Sequence, residues 1–269
     1  MLNNNFKKIE EKLQRQYGES PDPWGLQVDS AIRDLKILWP IYKYYFDVKI
    51  HGTENLDPNR PYMVISNHTG QIPIDALLIC IAFASELENP IFLRPLVERF
   101  LTSLPFLGKW SSEAGAVLGD RNNCLNLLKR KESILVFPEG VSGIAKSPKD
   151  FYRLKPFTKG FIRMALQAKV DILPISVVGA EDFYPFVFHL RKIAKMLNIP
   201  ALPISPNLIP LPSPVDIYIG RPYSLPQSLT AEALDQELSI HINQLEAQID
   251  QMTKQGLEVK RTIKSRINS

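Results

Sequence analysis

The sequence predicts an α/β fold, in which helices cover both faces of a mixed, mainly parallel β-sheet. From about residue 48 onwards, short β-rich runs alternate with segments of helical periodicity, a pattern that favours parallel strands joined by helices. Two of the runs end in polar, chemically reactive residues, as strands do at the ligand edge of such a sheet. The chain has 269 residues, 45% of them hydrophobic, and is long enough to bury one large core.

The first 47 residues are predicted to form helices that are apolar on one side. In the first helix the apolar residues recur at helical spacing: Leu2, Phe6, Ile9 and Leu13. A second helix is expected over residues 26–46, kinked or split at Pro40. Its aromatic side chains lie beside Lys36 and Lys43, which suits either core packing or the headgroup layer of a membrane. This segment is therefore a candidate for membrane docking.

Residues 48–227 are predicted to form the core domain. Its strands are expected at residues 48–51, 62–66, 91–94, 134–137, 172–178 and 215–219. Helices are expected between most of these strands, at residues 75–87, 121–131, 158–168 and 185–197. Residues 228–269 are predicted to form a long amphipathic C-terminal helix that packs on this core.

A proline-rich apolar segment at residues 199–214 interrupts the core domain. Its prolines alternate with leucine and isoleucine, so that it can be neither a regular helix nor a central strand. An uncharged apolar loop is expected to be covered by packing, by a partner or by lipid. We expect it to share the membrane-docking role with the N-terminal helices.

Composition limits the classes of function. The chain has 32 lysine and arginine residues against 28 acidic residues. Because this excess is small and the chain has no recognised nucleic-acid-binding motif, no nucleic-acid partner is expected. The two cysteines, Cys80 and Cys124, are not spaced as metal ligands, which favours a reducing compartment and no metal. The first 16 residues do not resemble a signal peptide, and no run approaches the ~20 apolar residues that cross a bilayer. The expected location is the cytoplasmic side of a membrane, with peripheral attachment.

A histidine follows the second predicted strand, at Asn67-His68, and Asp75 begins the next predicted helix. An imidazole at this edge of a sheet can act as a general base at neutral pH. In the functional interpretation, Asp75 accepts a hydrogen bond from one ring nitrogen of His68 and leaves the other to receive a proton. In the structural interpretation, Asp75 is a helix N-cap or a first-turn acid, and His68 has no chemical role.

A second polar cluster ends the strand predicted at residues 134–137. Glu139 and Gly140 lie in the turn that follows, where the glutamate either binds an acceptor hydroxyl or holds the loop together. Arg121 either holds a phosphate or starts a helix. The basic run after Gly140 is interpreted as a solvated face, with an anionic ligand or membrane as the alternative. It contains Lys146, Lys149, Arg153, Lys155 and Lys159.

Four blocks of the chain, taken in order, resemble the glycerolipid acyltransferases. They are Asn67-His68 with Asp75, the stretch 115–121 that ends at Arg121, Phe137-Pro138-Glu139-Gly140, and Ile172-Leu173-Pro174-Ile175-Ser176. The similarity covers roughly residues 48–225. Among the phospholipid/glycerol acyltransferases of the lysophospholipid acyltransferase-like superfamily, the chain is most similar to the monoacylglycerol/diacylglycerol acyltransferase-like branch, which residues 153–160 and 177–182 also resemble.

The resemblance implies an O-acyltransferase. His68, oriented by Asp75, would deprotonate a lipid hydroxyl, which then attacks an acyl thioester of coenzyme A or acyl carrier protein. The residues that it implies in substrate binding are Asn67, Arg121, Glu139, Gly140, Lys159 and Pro174. No bound cofactor is expected, because the acyl-CoA or acyl-ACP thioester is a co-substrate. The expected partners are a membrane surface, a glycerolipid or lysophospholipid acceptor and the thioester donor.

The chain departs from the usual family pattern at two places. Six residues separate His68 from Asp75 where the pattern has four, which predicts a longer turn before the helix. Ser142 stands where the pattern has an arginine linked with acceptor phosphate, which favours a neutral acceptor such as diacylglycerol or another lipid alcohol. A hydrolase is a further alternative, although the chain has no Gly-x-Ser-x-Gly nucleophile turn. The last alternative is a non-catalytic lipid-binding protein with the same fold.

Overall fold

The computed structural model describes residues 2–18, 21–69, 73–185, 188–189, 203–207 and 209–267. The strands are β1 (Lys49–His51), β2 (Tyr62–Ser66), β3 (Leu93–Val97), β4 (Val117–Leu118), β5 (Ser133–Val136), β6 (Asp171–Val178), β7 (Phe188–His189), β8 (Pro203–Ile204) and β9 (Asp216–Ile219). The helices are α1 (Leu2–Tyr17), α2 (Val28–Pro40), α3 (Ile74–Ser85), α4 (Arg99–Ser103), α5 (Leu107–Glu113), α6 (Arg121–Lys129), α7 (Val141–Ile144), α8 (Gly160–Ala168) and α9 (Asp235–Ile267). A π-helix, Ile41–Tyr45, continues α2, and short 3-10 helices lie at Thr53–Asn55, Pro148–Asp150 and Ala180–Phe183.

Seven strands form one sheet in the order β1-β9-β6-β2-β5-β3-β4. Strand β2 is parallel to both β5 and β6, and β3 is parallel to β4 and β5. Strand β9 runs antiparallel to β6 and parallel to β1. The sheet is therefore mixed and mainly parallel, as the sequence predicts. Because β6, β2 and β5 are adjacent and parallel, their carboxyl ends meet at one edge of the sheet.

Helices cover both faces of this sheet. Tyr62 and Val64 of β2 belong to a core shared with α1, α2 and α3. Met63 and Ile65 belong to a second core, on the opposite face, shared with α6, α8 and α9. Successive side chains of a strand point to opposite faces, so a strand covered on both faces is apolar throughout. All of β2 is accordingly buried.

The N-terminal helices pack against the first of these cores. The apolar side of α1 is buried, and the Asn5 side chain donates hydrogen bonds to the carbonyl oxygens of Ser85 and Leu87 at 2.9 Å each. Helix α2 ends at Pro40 and is followed by a π-helix, so the helix predicted over residues 26–46 is divided at Pro40. The large hydrophobic and aromatic side chains of this segment that stay exposed are Ile37, Ile41, Tyr44 and Tyr45. Within the described ranges, no helix is both long and apolar enough to cross a bilayer.

The helix predicted at residues 185–197 is wrong at Phe188–His189, which form β7 and pair with β8 in a two-stranded ribbon. The chain there runs Phe186-Val187-Phe188, and aromatic and β-branched residues favour strands. The rest of that prediction, apart from residue 185, lies outside the described residues. The short elements α4, α5, α7 and β4 are additional to the predicted ones.

Candidate active site

The histidine–aspartate pair lies where β2 leads into α3, at the carboxyl edge of the sheet. His68 is two residues beyond the end of β2, and Asp75 is in the first turn of α3. The two side chains are 7% and 0% exposed, and His68 Nδ1 lies 2.7 Å from Asp75 Oδ2. Among the residues that the structure describes, none hydrogen-bonds His68 Nε2. The Asp75 carboxylate therefore holds the ring at Nδ1.

Asp75 is fixed by several donors. The Thr69 backbone N–H and hydroxyl donate to Oδ2 at 2.8 and 3.0 Å, and the Ala76 N–H donates to Oδ1 at 2.8 Å. Burial alone would raise the pKa of Asp75, but the charge of His68 and these hydrogen bonds hold it below its ordinary value. An ionised Asp75 accepts the Nδ1–H and so favours the tautomer with Nε2 unprotonated. The aspartate is thus both a first-turn acid and the partner of the imidazole.

The imidazole is also packed tightly on its other sides. Its ring stacks on Phe137, with 4.3 Å between ring centroids and 22° between planes. Gly143 of α7 lies against it, because a Cβ at that position would come within 2.6 Å of the His68 Cβ. Any side chain at position 143 would displace the histidine. The loop after β5 therefore helps to set where the ring stands.

Glu139 holds this loop together from within. Its buried carboxylate accepts hydrogen bonds from the backbone N–H of His68 at 2.7 Å and of Lys155 at 2.8 Å. It also lies 2.9 Å from the Lys146 Nζ. Gly140, next in the chain, has φ +55° and ψ −144°, a conformation that residues with a Cβ rarely adopt. Of the two interpretations of the glutamate, the contacts match the one in which it holds the loop.

Lys146 and Glu181 are site residues that the sequence did not single out. The basic run predicts a solvated lysine, but Lys146 is 1% exposed and its Nζ donates to the His68 carbonyl oxygen at 2.7 Å. Glu181 follows β6, is buried, and has Oε1 3.6 Å from the same Nζ. Burial raises the pKa of Glu181 to about 8, even though the Lys146 charge acts in the opposite direction. The position of Glu181 just beyond a buried strand was the available signal for it.

Asn67 ties the site to the neighbouring strand. Its side-chain amide donates to the Val177 carbonyl oxygen at 3.0 Å, and its Oδ1 accepts the Val177 N–H at 2.8 Å. The side chain therefore extends the pairing of β2 with β6 by one residue, immediately before His68. This is a positional role, and substrate contact by Asn67 remains a prediction.

Three of the predicted substrate-binding residues lie apart from this cluster. Arg121 begins α6, and its guanidinium donates to Gln167 Oε1 at 3.1 and 2.7 Å. Lys159 precedes α8 and pairs with Asp235 at 2.9 Å. Pro174 is buried within β6, in register with Ile65 of β2. No hydrogen bond or ion pair between described residues joins any of the three to His68, so their roles stay predictions.

An apolar cavity of about 240 Å³ lies against α3. Ile74 and Ala76, which precede and follow Asp75 in the chain, are among the residues that line it. The rest of the lining comes mainly from α2, α3, β3 and α5, for example Leu35, Leu38, Leu77, Leu93 and Trp110. The cavity reaches the surface at Leu107 and Trp110, which are 40% and 39% exposed. Its lining suits an alkyl chain better than a polar ligand.

The fold and the site together define an α/β protein with an oriented imidazole at the carboxyl edge of its sheet and an apolar cavity against α3. Residues 47–178 match the family model described as Acyltransferase, and this segment is an acyltransferase domain. The chain is 34% identical over 190 residues to an uncharacterised protein of Mycobacterium leprae, covering 67% of this chain and 52% of that one. The chain thus spans about half the length of this relative.

Two further similarities concern proteins with descriptive names. The chain is 25% identical over 218 residues to the "DGAT1/2-independent enzyme synthesizing storage lipids" of Gallus gallus, covering 81% of this chain and 63% of that one. Its fold matches the crystal structure of the 1-acyl-sn-glycerophosphate acyltransferase of Thermotoga maritima with a TM-score of 0.54. That match covers 94% and 95% of the two chains at 18% identity and therefore shows the shared fold alone.

Proposed function

We propose that the protein is an O-acyltransferase, which moves a fatty acyl group from an acyl thioester to a hydroxyl of a glycerolipid or lysophospholipid. The carrier of the thioester is coenzyme A or acyl carrier protein. The observation that carries the proposal is the arrangement of His68, whose Nδ1 is held by a buried Asp75 that lies between two residues of the cavity lining. The match of residues 47–178 to the acyltransferase family model supports the same reaction.

In the proposed mechanism His68 Nε2 removes the proton from the acceptor hydroxyl. The hydroxyl oxygen then bonds to the thioester carbonyl carbon and forms a tetrahedral intermediate. The C–S bond breaks as the intermediate collapses, and the leaving thiolate takes the proton from His68. Asp75 stabilises the transient imidazolium and keeps the ring in place. No acyl-enzyme forms, because the acceptor oxygen is itself the nucleophile.

The apolar cavity is the proposed site of the acyl chain. Each methylene that leaves water for such a lining contributes roughly 0.8 kcal/mol to binding. A chain lying there would place its thioester end near the first turn of α3, where Asp75 meets His68. The cavity therefore accounts for an acyl donor or acceptor better than for a small polar substrate.

The acceptor is proposed to be a neutral lipid alcohol or a lysophospholipid. Ser142, at the start of α7, is exposed two residues beyond the Glu139–Gly140 turn. A serine there offers a hydroxyl but no fixed positive charge for a phosphate. The neutral lipid is accordingly expected to be the better acceptor of the two.

The proposed substrates are lipids, so we place the protein at a membrane surface. Apolar side chains are exposed on two adjacent parts of the described chain. Ile37 lies in α2 and Tyr44 in the π-helix that continues it, and Phe106 lies immediately before α5. Trp110 joins these parts, because its Nε1 donates to Asp34 of α2 at 2.8 Å, and it also lines the cavity. A lipid chain could pass from a bilayer into the cavity at this surface.

The test is acyl transfer by the purified full-length chain on phospholipid vesicles, with palmitoyl-CoA or palmitoyl-acyl carrier protein as donor. Lysophosphatidic acid, monoacylglycerol and diacylglycerol serve as acceptors, and the acylated products are measured by mass spectrometry. We expect transfer by the wild type and a loss of at least about 10³-fold in His68→Ala, since a general base and the proton relay are removed together.

His51→Ala is the matched control. His51 also pairs with an aspartate, its Nε2 lying 2.7 Å from Asp216 Oδ1, but its side chain is 43% exposed on the edge strand β1. This variant should keep full activity. Undiminished transfer in His68→Ala would refute the mechanism. Release of free fatty acid without any acceptor would indicate a hydrolase, and bound lipid without turnover would indicate a lipid-binding protein.

A further inference from the structure

A fully buried lysine sits directly behind the proposed catalytic histidine. The Lys146 Nζ lies 2.9 Å from Glu139 Oε2 and 3.6 Å from Glu181 Oε1. It also donates to the His68 carbonyl oxygen at 2.7 Å. Burying an ammonium costs several kcal/mol unless it is paired and hydrogen-bonded. Because Lys146 is buried, it does not serve the solubility of the protein as a surface lysine does, and its burial needs another explanation.

The ion pair holds the peptide of His68 from both sides. Glu139 accepts the His68 N–H at 2.7 Å, and Lys146 binds the His68 carbonyl oxygen. Strand β2 ends at Ser66, so these two backbone groups lie beyond the strand that leads to them. Within β2 the backbone groups are hydrogen-bonded by neighbouring strands. At His68 they are hydrogen-bonded by side chains from the loop after β5.

Three contacts thus fix the histidine, two on its backbone and one on its ring. The ring contact is the hydrogen bond between Nδ1 and Asp75. The other two contacts, from Glu139 and Lys146, set the position of the backbone from which the ring extends. Gly143 packs against the His68 Cβ from the same loop. A shift of this loop would move the imidazole, and with it Nε2.

We propose that Lys146 is a positioning residue, which holds the His68 peptide so that Nε2 faces the acceptor hydroxyl. The inference rests on the acyltransfer proposed above. Lys146 acts through His68 and touches no substrate, and Glu139 and Glu181 hold its ammonium in place. A misplacement of about 1 Å in such a geometry can reduce turnover about 10²-fold.

A purely structural role makes a different expectation. Replacing one partner of a buried ion pair lowers stability, but it leaves kcat of the molecules that remain folded unchanged. A positioning role lowers kcat in the folded protein and leaves KM for the acyl donor nearly the same. The cavity lining comes mainly from α2, α3, β3 and α5, and Lys146 is not among the lining residues.

The test compares Lys146→Met with wild type in the vesicle assay, below the unfolding temperature of each. We expect kcat to fall about 10²-fold and KM for palmitoyl-CoA to change less than about threefold. Lys149→Met is the matched control, because Lys149 lies exposed three residues further on. Its kcat and KM should equal those of wild type.

A lone Lys146→Met substitution leaves two buried carboxyl groups without their cation. If that variant does not fold, Lys146→Met combined with Glu139→Gln removes one charge of each sign and takes its place, with the same expected loss of kcat. Full kcat in whichever variant folds would overturn the inference, and so would the failure of both to fold. A wild type without acyl transfer would overturn the proposed function as well, whereas an active wild type assigns the result to Lys146 in the single variant and to the Lys146–Glu139 pair in the double one.

Discussion

Two buried clusters of charge lie at opposite ends of the same sheet. At the amino ends of the strands, Arg94 is 0% exposed and its guanidinium binds Asp22 at 2.7 Å and Glu132 at 2.9 Å. Its Nε donates to the Gly115 carbonyl oxygen at 2.8 Å. At the carboxyl ends, His68 contacts Asp75, Glu139 and Lys146, and Glu181 lies beside Lys146. Both clusters are desolvated, and both join segments that are distant in sequence.

The clusters differ in whether they are closed. Each of the three guanidinium nitrogens of Arg94 binds the protein, which ties the N-terminal loop to β3 and to the start of β5. His68 keeps Nε2 unbound by any described residue. A closed cluster can contribute only to the fold, whereas an open position can receive a substrate. Buried charge is therefore common to both clusters, and under the proposed mechanism the Nε2 without a described partner distinguishes the active site.

Asp75→Asn should have the largest effect and should separate the clusters most clearly. An asparagine can donate to Nδ1 and so stabilise the tautomer in which Nε2 carries the proton and cannot act as a base. We expect kcat to fall about 10³- to 10⁴-fold. The measurement is the vesicle acyltransfer assay, with circular dichroism to confirm folding.

Asp22→Asn is its counterpart in the closed cluster. It removes a buried carboxylate that binds Arg94, so it should lower the free energy of unfolding and leave the kcat of folded protein unchanged. If Asp22→Asn lowered kcat as much as Asp75→Asn, the division of roles between the clusters would fail.

Arg94→Met is the next largest change. The substitution leaves Asp22 and Glu132 buried without their cation, which should lower the free energy of unfolding by about 3–5 kcal/mol. Urea denaturation followed by circular dichroism measures it. Arg60→Met is the control, because Arg60 pairs with Asp171 at the surface and its loss should cost less than about 1 kcal/mol. Similar losses in the two variants would show that the Arg94 cluster does not tie the fold together.

The sequence predicts the fold and part of the site because both depend on local pattern. Alternation of strands and helices predicts the mainly parallel sheet, and polar residues after β2 and β5 predict the edge where His68 and Glu139 meet. These signals require only that neighbouring parallel strands end at the same edge.

The remaining features depend on tertiary contacts. Lys146 and Lys149 look alike in the basic run, and only the packing of α7 under His68 buries the first and exposes the second. Arg94 likewise ends a predicted strand without any local sign that Asp22 would reach it. The helix predicted at residues 185–197 fails at β7 because pairing with β8 decides the structure there. Each of these depends on partners far away in the chain.

Glu181→Gln should have the smallest effect, and it sharpens the comparison through pH. The pKa of Glu181 is raised to about 8 by burial, above its ordinary value near 4.5, so the folded state binds the proton more tightly than the unfolded state. This contribution to stability is complete below about pH 4.5 and is lost as pH rises through about 8. A glutamine at this position does not titrate, so the variant does not lose stability in this way as pH rises.

The free energy of unfolding of Glu181→Gln, relative to wild type, should therefore rise with pH across this window. One pKa unit corresponds to about 1.4 kcal/mol, so the difference should grow by about 2 kcal/mol between about pH 5.5 and 7. Urea denaturation at several pH values measures it, and Glu258→Gln on the exposed part of α9 is the control. A difference that stayed constant with pH would mean that Glu181 is ionised throughout. The Lys146 ammonium would then face the negative charge of Glu181 at neutral pH, which the raised pKa otherwise removes.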